Sequence, residues 1–152
     1  MVEQGDAMSA SHATLKALVD AFNAHDLDGI MSFFAEDAVL EMPRGPHPWG
    51  NRYEGVAAIR GALQGRFTGL PDVHYGNDVH YVDGNMGISQ WTLTGTPASG
   101  QRIEVRGCDF YTFRDGKVVK KDSFWKIVEK CAGHQTLASR RRASVWGGSS
   151  AD

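Results

Sequence analysis

The chain has 152 residues, 41% of them hydrophobic and 22% charged, which is most simply one domain with room for a real core. Its formal net charge of −2 offers no basic field for nucleic acid, and no apolar run approaches the roughly 20 residues that span a bilayer. The first residues show neither a basic leader nor an apolar stretch. Cys108 and Cys131 lie in separate segments, so two reduced thiols in a cytoplasmic protein are expected rather than a disulfide.

Helices come first. Leu15, Leu18, Val19 and Phe22 recur at helical spacing and predict an amphipathic helix from about Ser11 to Ala24. His25-Asp26 breaks it, and Asp26 or Asp28 can cap a shorter helix carrying Ile30, Phe33 and Phe34. A short strand is expected over Ala38 to Met42. The next stretch, Pro43 to Glu54, is dense in proline and glycine and exceeds an ordinary connection, which favours a binding loop over a mere link. Val56, Ile59, Leu63 and Phe67 mark a third helix. From Val73 onward the pattern turns to strands: Val73 to Val82, Asn85 to Thr94, Gln101 to Phe113 and Lys117 to Lys130. Asp83-Gly84 and Asp115-Gly116 mark the tight turns between them. Helices followed by a meander of long strands read as α+β, with helices packed on one face of a curved antiparallel sheet. Residues 1–130 then form the domain, and 131–152, polar with an Arg140-Arg141-Arg142 run, a mobile tail.

The last hairpin carries the best site candidate. Asp109 sits in an otherwise apolar stripe, and a half-buried strand carries a charge on its core face only where that face lines a cavity or pairs the charge. A two-residue turn at Asp115-Gly116 would set Asp109 opposite Asp122 and mix apolar with charged side chains on both faces. A three-residue loop with Gly116 in a bulge separates them. That register is expected, with Asp109 directly across from Lys121, Trp125 beside Val105, and Val119 facing inward.

Four segments then acquire a common meaning: Phe33 to Glu41 at the first strand, Tyr53 to Arg60 at the third helix, Trp91 to Gly95, and Phe113 to Val118. Their order and composition resemble the SnoaL-like branch of the nuclear-transport-factor-2-like superfamily over roughly Ser11 to Lys130. The resemblance implies a cone: a curved sheet wrapping an apolar pocket, closed by helices, often dimeric. It spans polyketide cyclases, ketosteroid isomerases, hydrolases, dehydratases and proteins without catalysis, so fold alone does not choose a reaction. The general base that ketosteroid isomerases place before a proline corresponds to Met42, which argues against that reaction here. The acid that they place in the penultimate strand corresponds to Asp109. An acid of that kind held neutral is a known device for stabilising an oxyanion, but Lys121 would draw Asp109 toward ionisation.

The candidate site is therefore Asp109 as acid/base, Lys121 as its electrostatic partner and His47, in the long loop, as a second proton carrier. Met42, Trp91, Tyr111, Ser123 and Trp125 are its pocket walls, with Trp49 near the mouth. Glu41 is expected to point away and to be paired or solvated. His74, Asp78 and His80 share a face at strand spacing, yet no second cluster completes a ligand set, so neither a metal nor a cofactor is expected. The expected ligand is a small apolar carbonyl or hydroxyl compound handled by proton transfer; the alternative is a binding or assembly module without catalysis. The outer sheet face, with Cys108, Phe110, Phe124 and Val128 among charges, suggests a homodimer.

Overall fold

The computed structural model describes residues 10–130; the tail from residue 131, with its arginine run and Cys131, lies outside the described residues. Ser11 opens α1 (His12–Asn23) by accepting a hydrogen bond from the Thr14 amide at 3.0 Å. This side-chain cap satisfies a helix-end donor that has no intrahelical partner. Leu15, Leu18, Val19 and Phe22 all face the core, as their spacing requires. Asp26 caps α2 (Leu27–Met31) through the Gly29 amide. That helix is shorter than expected: Phe33 falls in the link that follows, and Phe34 opens the first strand instead.

Then follow β1 (Phe34–Glu41), β2 (Arg52–Glu54), α3 (Val56–Gly69), β3 (His74–Asp83), β4 (Met86–Gly95), β5 (Ile103–Arg114) and β6 (Lys117–Trp125). They form one curved, unclosed sheet in the order β2-β1-β6-β5-β4-β3. Every neighbouring pair is antiparallel except β1 with β6. β1 begins earlier than its apolar residues alone suggest, β2 arises inside the proline-rich stretch, and β6 stops at Trp125 rather than Lys130.

The helices cover the concave face. Asn23, at the end of α1, bonds both backbone groups of Tyr75 in β3, accepting from its amide at 2.8 Å and donating to its carbonyl at 2.9 Å. His25 reaches the Val73 carbonyl at 2.8 Å. Ile59 and Leu63 of α3 complete the core with Leu40, Leu93, Tyr111, Phe113 and Val118.

The last hairpin corrects the expected register. Asp115 (φ 50°) and Gly116 (φ 73°) are both left-handed and close a two-residue turn with Arg114 across from Lys117, the geometry favoured by strand twist. The extra residue lies one step inside β6 instead. Phe113 pairs with Val118 and Thr112 with Lys120, leaving Val119 as the bulge. Apolar and charged side chains are still separated, but Val118 rather than Val119 points into the core. Asp109 is consequently across from Ser123, Lys121 across from Tyr111, and Trp125 across from Gly107 rather than beside Val105.

Gly107 is required by this arrangement. A Cβ there would meet the Phe124 carbonyl oxygen at 2.4 Å and the Trp91 ring at 2.6 Å. Trp91 therefore lies across a strand position that has no side chain. Gly107→Ala is expected to destabilise the fold by about 1–3 kcal/mol, as overpacking of a filled core does. Denaturant melts of the two proteins check this; an unchanged midpoint would show that Trp91 and the Phe124 backbone can both give way.

Candidate functional site

The register places Ser89, Asp109 and Ser123 in one row across β4, β5 and β6, with Tyr111 and Lys121 in the next. All these side chains point into the concave side. Asp109 Oδ1 accepts from Lys121 Nζ at 2.6 Å and from Ser123 Oγ at 2.6 Å. Its Oδ2 accepts from Trp91 Nε1 at 3.0 Å and from the Tyr111 hydroxyl at 3.3 Å. Lys121 Nζ also donates to Ser123 Oγ at 2.7 Å. Asp109 is 4% exposed, Lys121 6% and Ser123 7%, so both charges are held out of water. Such burial is tolerable only with a partner and with the remaining lone pairs and protons satisfied, and the four donors around Asp109 supply that.

The rest of the surroundings is aromatic. Lys121 Nζ lies 5.6 Å from the Phe22 ring centroid and 5.7 Å from that of Tyr111. Tyr75 meets Trp91 edge-on at 5.0 Å. Burial pulls the Lys121 ammonium below its ordinary range, with the Asp109 carboxylate opposing that pull. Burial, with the Asp109 charge adding to it, pushes Tyr111 well above 10. Tyr75 is pushed up to about 12, again chiefly by burial.

Of the expected residues, Asp109, Lys121, Tyr111, Trp91 and Ser123 thus meet in one sealed cluster. The others line an adjoining cleft. β1 runs beside β6 only as far as Glu41 across from Asp122, and beyond that point the loop after β1 leaves a cleft of about 620 Å³ along β6. Met42, His47, Trp49, Ser123 and Trp125 are among its walls. Ser123 therefore belongs to both, with its hydroxyl on Asp109 and its residue on the cleft. His47 stacks on Trp49 at 5.0 Å in the exposed part of the loop and makes no hydrogen bond to the Asp109 cluster among the described residues. Glu41 pairs instead with Arg52 at 2.7 Å and Lys120 at 3.1 Å.

One arrangement escaped sequence reasoning. His80 Nδ1 lies 2.9 Å from Ser89 Oγ, and its Nε2 lies 2.8 Å from Asp78 Oδ2. The parity that put His74 on the same face fails because β3 bulges between Gly76 and Val79, with Asn77 left-handed at φ 52°. His74 is exposed at the start of the strand, while His80 turns inward. Only the register of the first hairpin could have revealed the pairing with Ser89. Among the described residues no group of three histidine, cysteine or acidic side chains could hold a metal ion.

A helical layer on a curved, unclosed sheet, with a polar group buried on its concave side, is the cone architecture of nuclear-transport-factor-2-like proteins. The sequence from 15 to 121 matches the model of the SnoaL-like domain, and the chain belongs to that family. Among solved structures, it is similar to an NTF2-like protein of unknown function from Burkholderia pseudomallei, at 20% identity and a TM-score of 0.69 over 78% of this chain and 92% of that one. A candidate polyketide cyclase from Xanthomonas campestris pv. campestris matches at 23% identity and 0.67, over 75% and 88%. A candidate isomerase from Bacillus subtilis matches at 22% identity and 0.64, over 75% and 84%. At these identities the structures speak for the fold.

The two raised tyrosines fix an alkaline limit to stability. Above pH 10.0 the unfolded chain gives up tyrosine protons that the folded chain keeps until about pH 12 at Tyr75. Stability is therefore lost as pH climbs through that window. Lys121 works the other way, since its lowered value makes the folded state release a proton first, favouring folding as pH approaches 10.5. Tyr75→Phe should remove about 2–3 kcal/mol of the loss across the window, at 1.36 kcal/mol per unit. Denaturant midpoints at pH 10 and pH 12 read it; equal slopes in both proteins would refute the assignment.

Proposed function

We propose that the protein is a cofactor-independent enzyme that moves a proton on a small, largely apolar carbonyl or hydroxyl compound, in the manner of an isomerase, cyclase or dehydratase. The observation that carries this is the Asp109–Lys121 pair, 2.6 Å apart and nearly sealed among aromatic rings, one residue from a cleft large enough for such a ligand. In this reading Asp109 accepts the proton and Lys121, on the same carboxylate, balances the charge. A buried ammonium whose hold on its proton is weakened by burial is suited to proton exchange. The Tyr111 bond to Asp109 is the longest of the four, at 3.3 Å, and is the one that a substrate oxygen would most readily replace. Met42, Trp125 and Ser123 form the approach, and Trp49 with His47 the rim. The absence of any hydrogen bond from His47 to the cluster among the described residues leaves it a weaker second proton carrier than its loop suggested.

A second reading has its own observation. Both Asp109 oxygens are fully engaged by donors, as a carboxylate fixed for structure would be, and a non-catalytic binding module would use the same cleft. Turnover by the unmodified protein separates the two, since a non-catalytic module binds its ligand without converting it, and Asp109→Asn then tests what the carboxylate itself does. A lost proton-transfer group lowers turnover by about two to four orders of magnitude with the ligand still bound. A purely structural partner leaves activity per folded molecule unchanged and costs stability, roughly 3–5 kcal/mol for a buried charge stripped of its partner. Turnover and thermal melts on the same variant decide between them.

The convex face supports a homodimer as the state in which this site works. Phe110 of β5 and Phe124 of β6 meet edge-on at 5.5 Å, are 37% and 51% exposed, and lie in the same cross-strand rows as the exposed Tyr81 and Val79 of β3. Arg106, Asp122 and Lys126 flank them, offering opposite charges that a two-fold axis can pair. Light scattering at micromolar concentration should return twice the chain mass, and Phe124→Glu should halve it. A monomer mass in the unmodified protein would rule the dimer out.

A further inference from the structure

Trp125, the last residue of β6, holds two cations at the cleft. Arg66 of α3 places its guanidinium carbon 4.7 Å from the ring centroid, and Arg44 of the loop after β1 places its own at 5.5 Å. Neither has a carboxylate within ion-pairing distance among the described residues, whereas Arg52, Arg60 and Arg114 each have one. Arg44 and Trp125 line the cleft along β6, and Arg66 comes to the same ring from the groove on the α3 side, with Met42 common to both. Arg66 also acts inward, since its charge bears on both Tyr75 and Lys121.

Within the cluster Asp109 and Lys121 pair with each other, and Glu41, which lines the cleft with Asp122 and Lys126, is taken by Arg52 and Lys120; Arg44 and Arg66 are left against the Trp125 ring without a carboxylate of their own among the described residues. Two like charges gathered on one ring repel, and the ring's π face offsets only part of that. A planar anion would complete the set, because a guanidinium presents its donors in a fork that matches a carboxylate.

We infer that the ligand carries a carboxylate on an otherwise apolar body, seated against Arg44 and Arg66 at Trp125, with the remainder of the molecule reaching past Ser123 toward Asp109. This deepens the proposed function and rests on the cleft being a small-molecule pocket. The arginines bind and orient the ligand, and the proton transfer stays with Asp109 and Lys121.

The test is calorimetric titration with 2-naphthoate and its uncharged counterpart 2-naphthamide. The expected result is that the carboxylate binds about tenfold more tightly or better, the worth of a charge-assisted hydrogen bond, and that added salt weakens it alone. Arg66→Gln and Arg44→Gln should each shrink the preference to about threefold or less, while Arg66→Lys, which keeps the charge, retains more of it than glutamine does. Melting curves on each variant confirm the fold, and should Arg66→Gln not fold, Arg44→Gln carries the comparison. Equal affinity for the two probes, or a preference that survives both glutamine changes, overturns the inference. Binding of the amide alone overturns it and leaves the pocket standing. No binding of either probe up to about 10 mM overturns the pocket and the carboxylate together.

Discussion

The buried Asp109 carboxylate organises the concave side of this sheet. Two opposite charges withdrawn from water lose several kcal/mol of hydration each, which only near-complete pairing can restore. Four donors provide it, from three different strands: Trp91 of β4, Tyr111 of β5, and Lys121 and Ser123 of β6. Each donor constrains the strand that carries it. The bulge at Val119 brings Ser123 directly opposite Asp109 and leaves Lys121 one pair away on the same face. Gly107 lets the Trp91 ring lie flat enough to reach Oδ2. The packing of three strands therefore depends on one group of atoms, and a change to any member disturbs the strands that carry the others.

The same economy explains the arrangement of the cleft. The sheet loses a partner strand beside β6 where β1 ends, and the stretch after β1 cannot rejoin it, being rich in proline that lacks a backbone donor and in left-handed glycine such as Gly50 (φ 75°). An opening is the result, bounded by aromatic rings and guanidinium groups rather than by more sheet. Ser123 is where the opening and the sealed cluster touch, its hydroxyl on Asp109 and its residue among the walls of the cleft.

Much of this was legible in the residues. Helical spacing in α1 identified all four of its core residues; Asp115-Gly116 located its turn, and Asp83-Gly84 came within one residue of the turn at Gly84-Asn85. The demand that charge and apolar surface separate put Asp109, Lys121, Ser123 and Trp125 on one face. What could not be read was which backbone device achieves that separation. A loop bulge and a strand bulge keep Asp109, Lys121, Ser123 and Trp125 on one face, and the two differ by two residues in who stands opposite whom. The same limit hid the His80–Ser89 contact, because the bulge at Asn77 reverses the parity on which the reading of β3 relied. β2 was missed for another reason: its three residues are held by pairing with β1, from Val39 to Glu41, and carry no apolar alternation of their own.

The hydrogen bonds from Asn23 to Tyr75 have a consequence for the chain among its neighbours. β3 is one of the sheet's two edge strands, and an unpaired strand edge is a template onto which another polypeptide can add. An asparagine side chain is a primary amide, so its carbonyl and NH2 reproduce at one rung what an adjoining strand would offer. With Asn23 filling that rung and His25 taking the Val73 carbonyl just before it, the start of β3 is already spoken for by the protein's own first helix. The left-handed kink at Asn77 then bends the strand away from the straight line that an incoming strand would need. The helix that closes the cone thereby also guards the sheet's margin against self-association into fibrils.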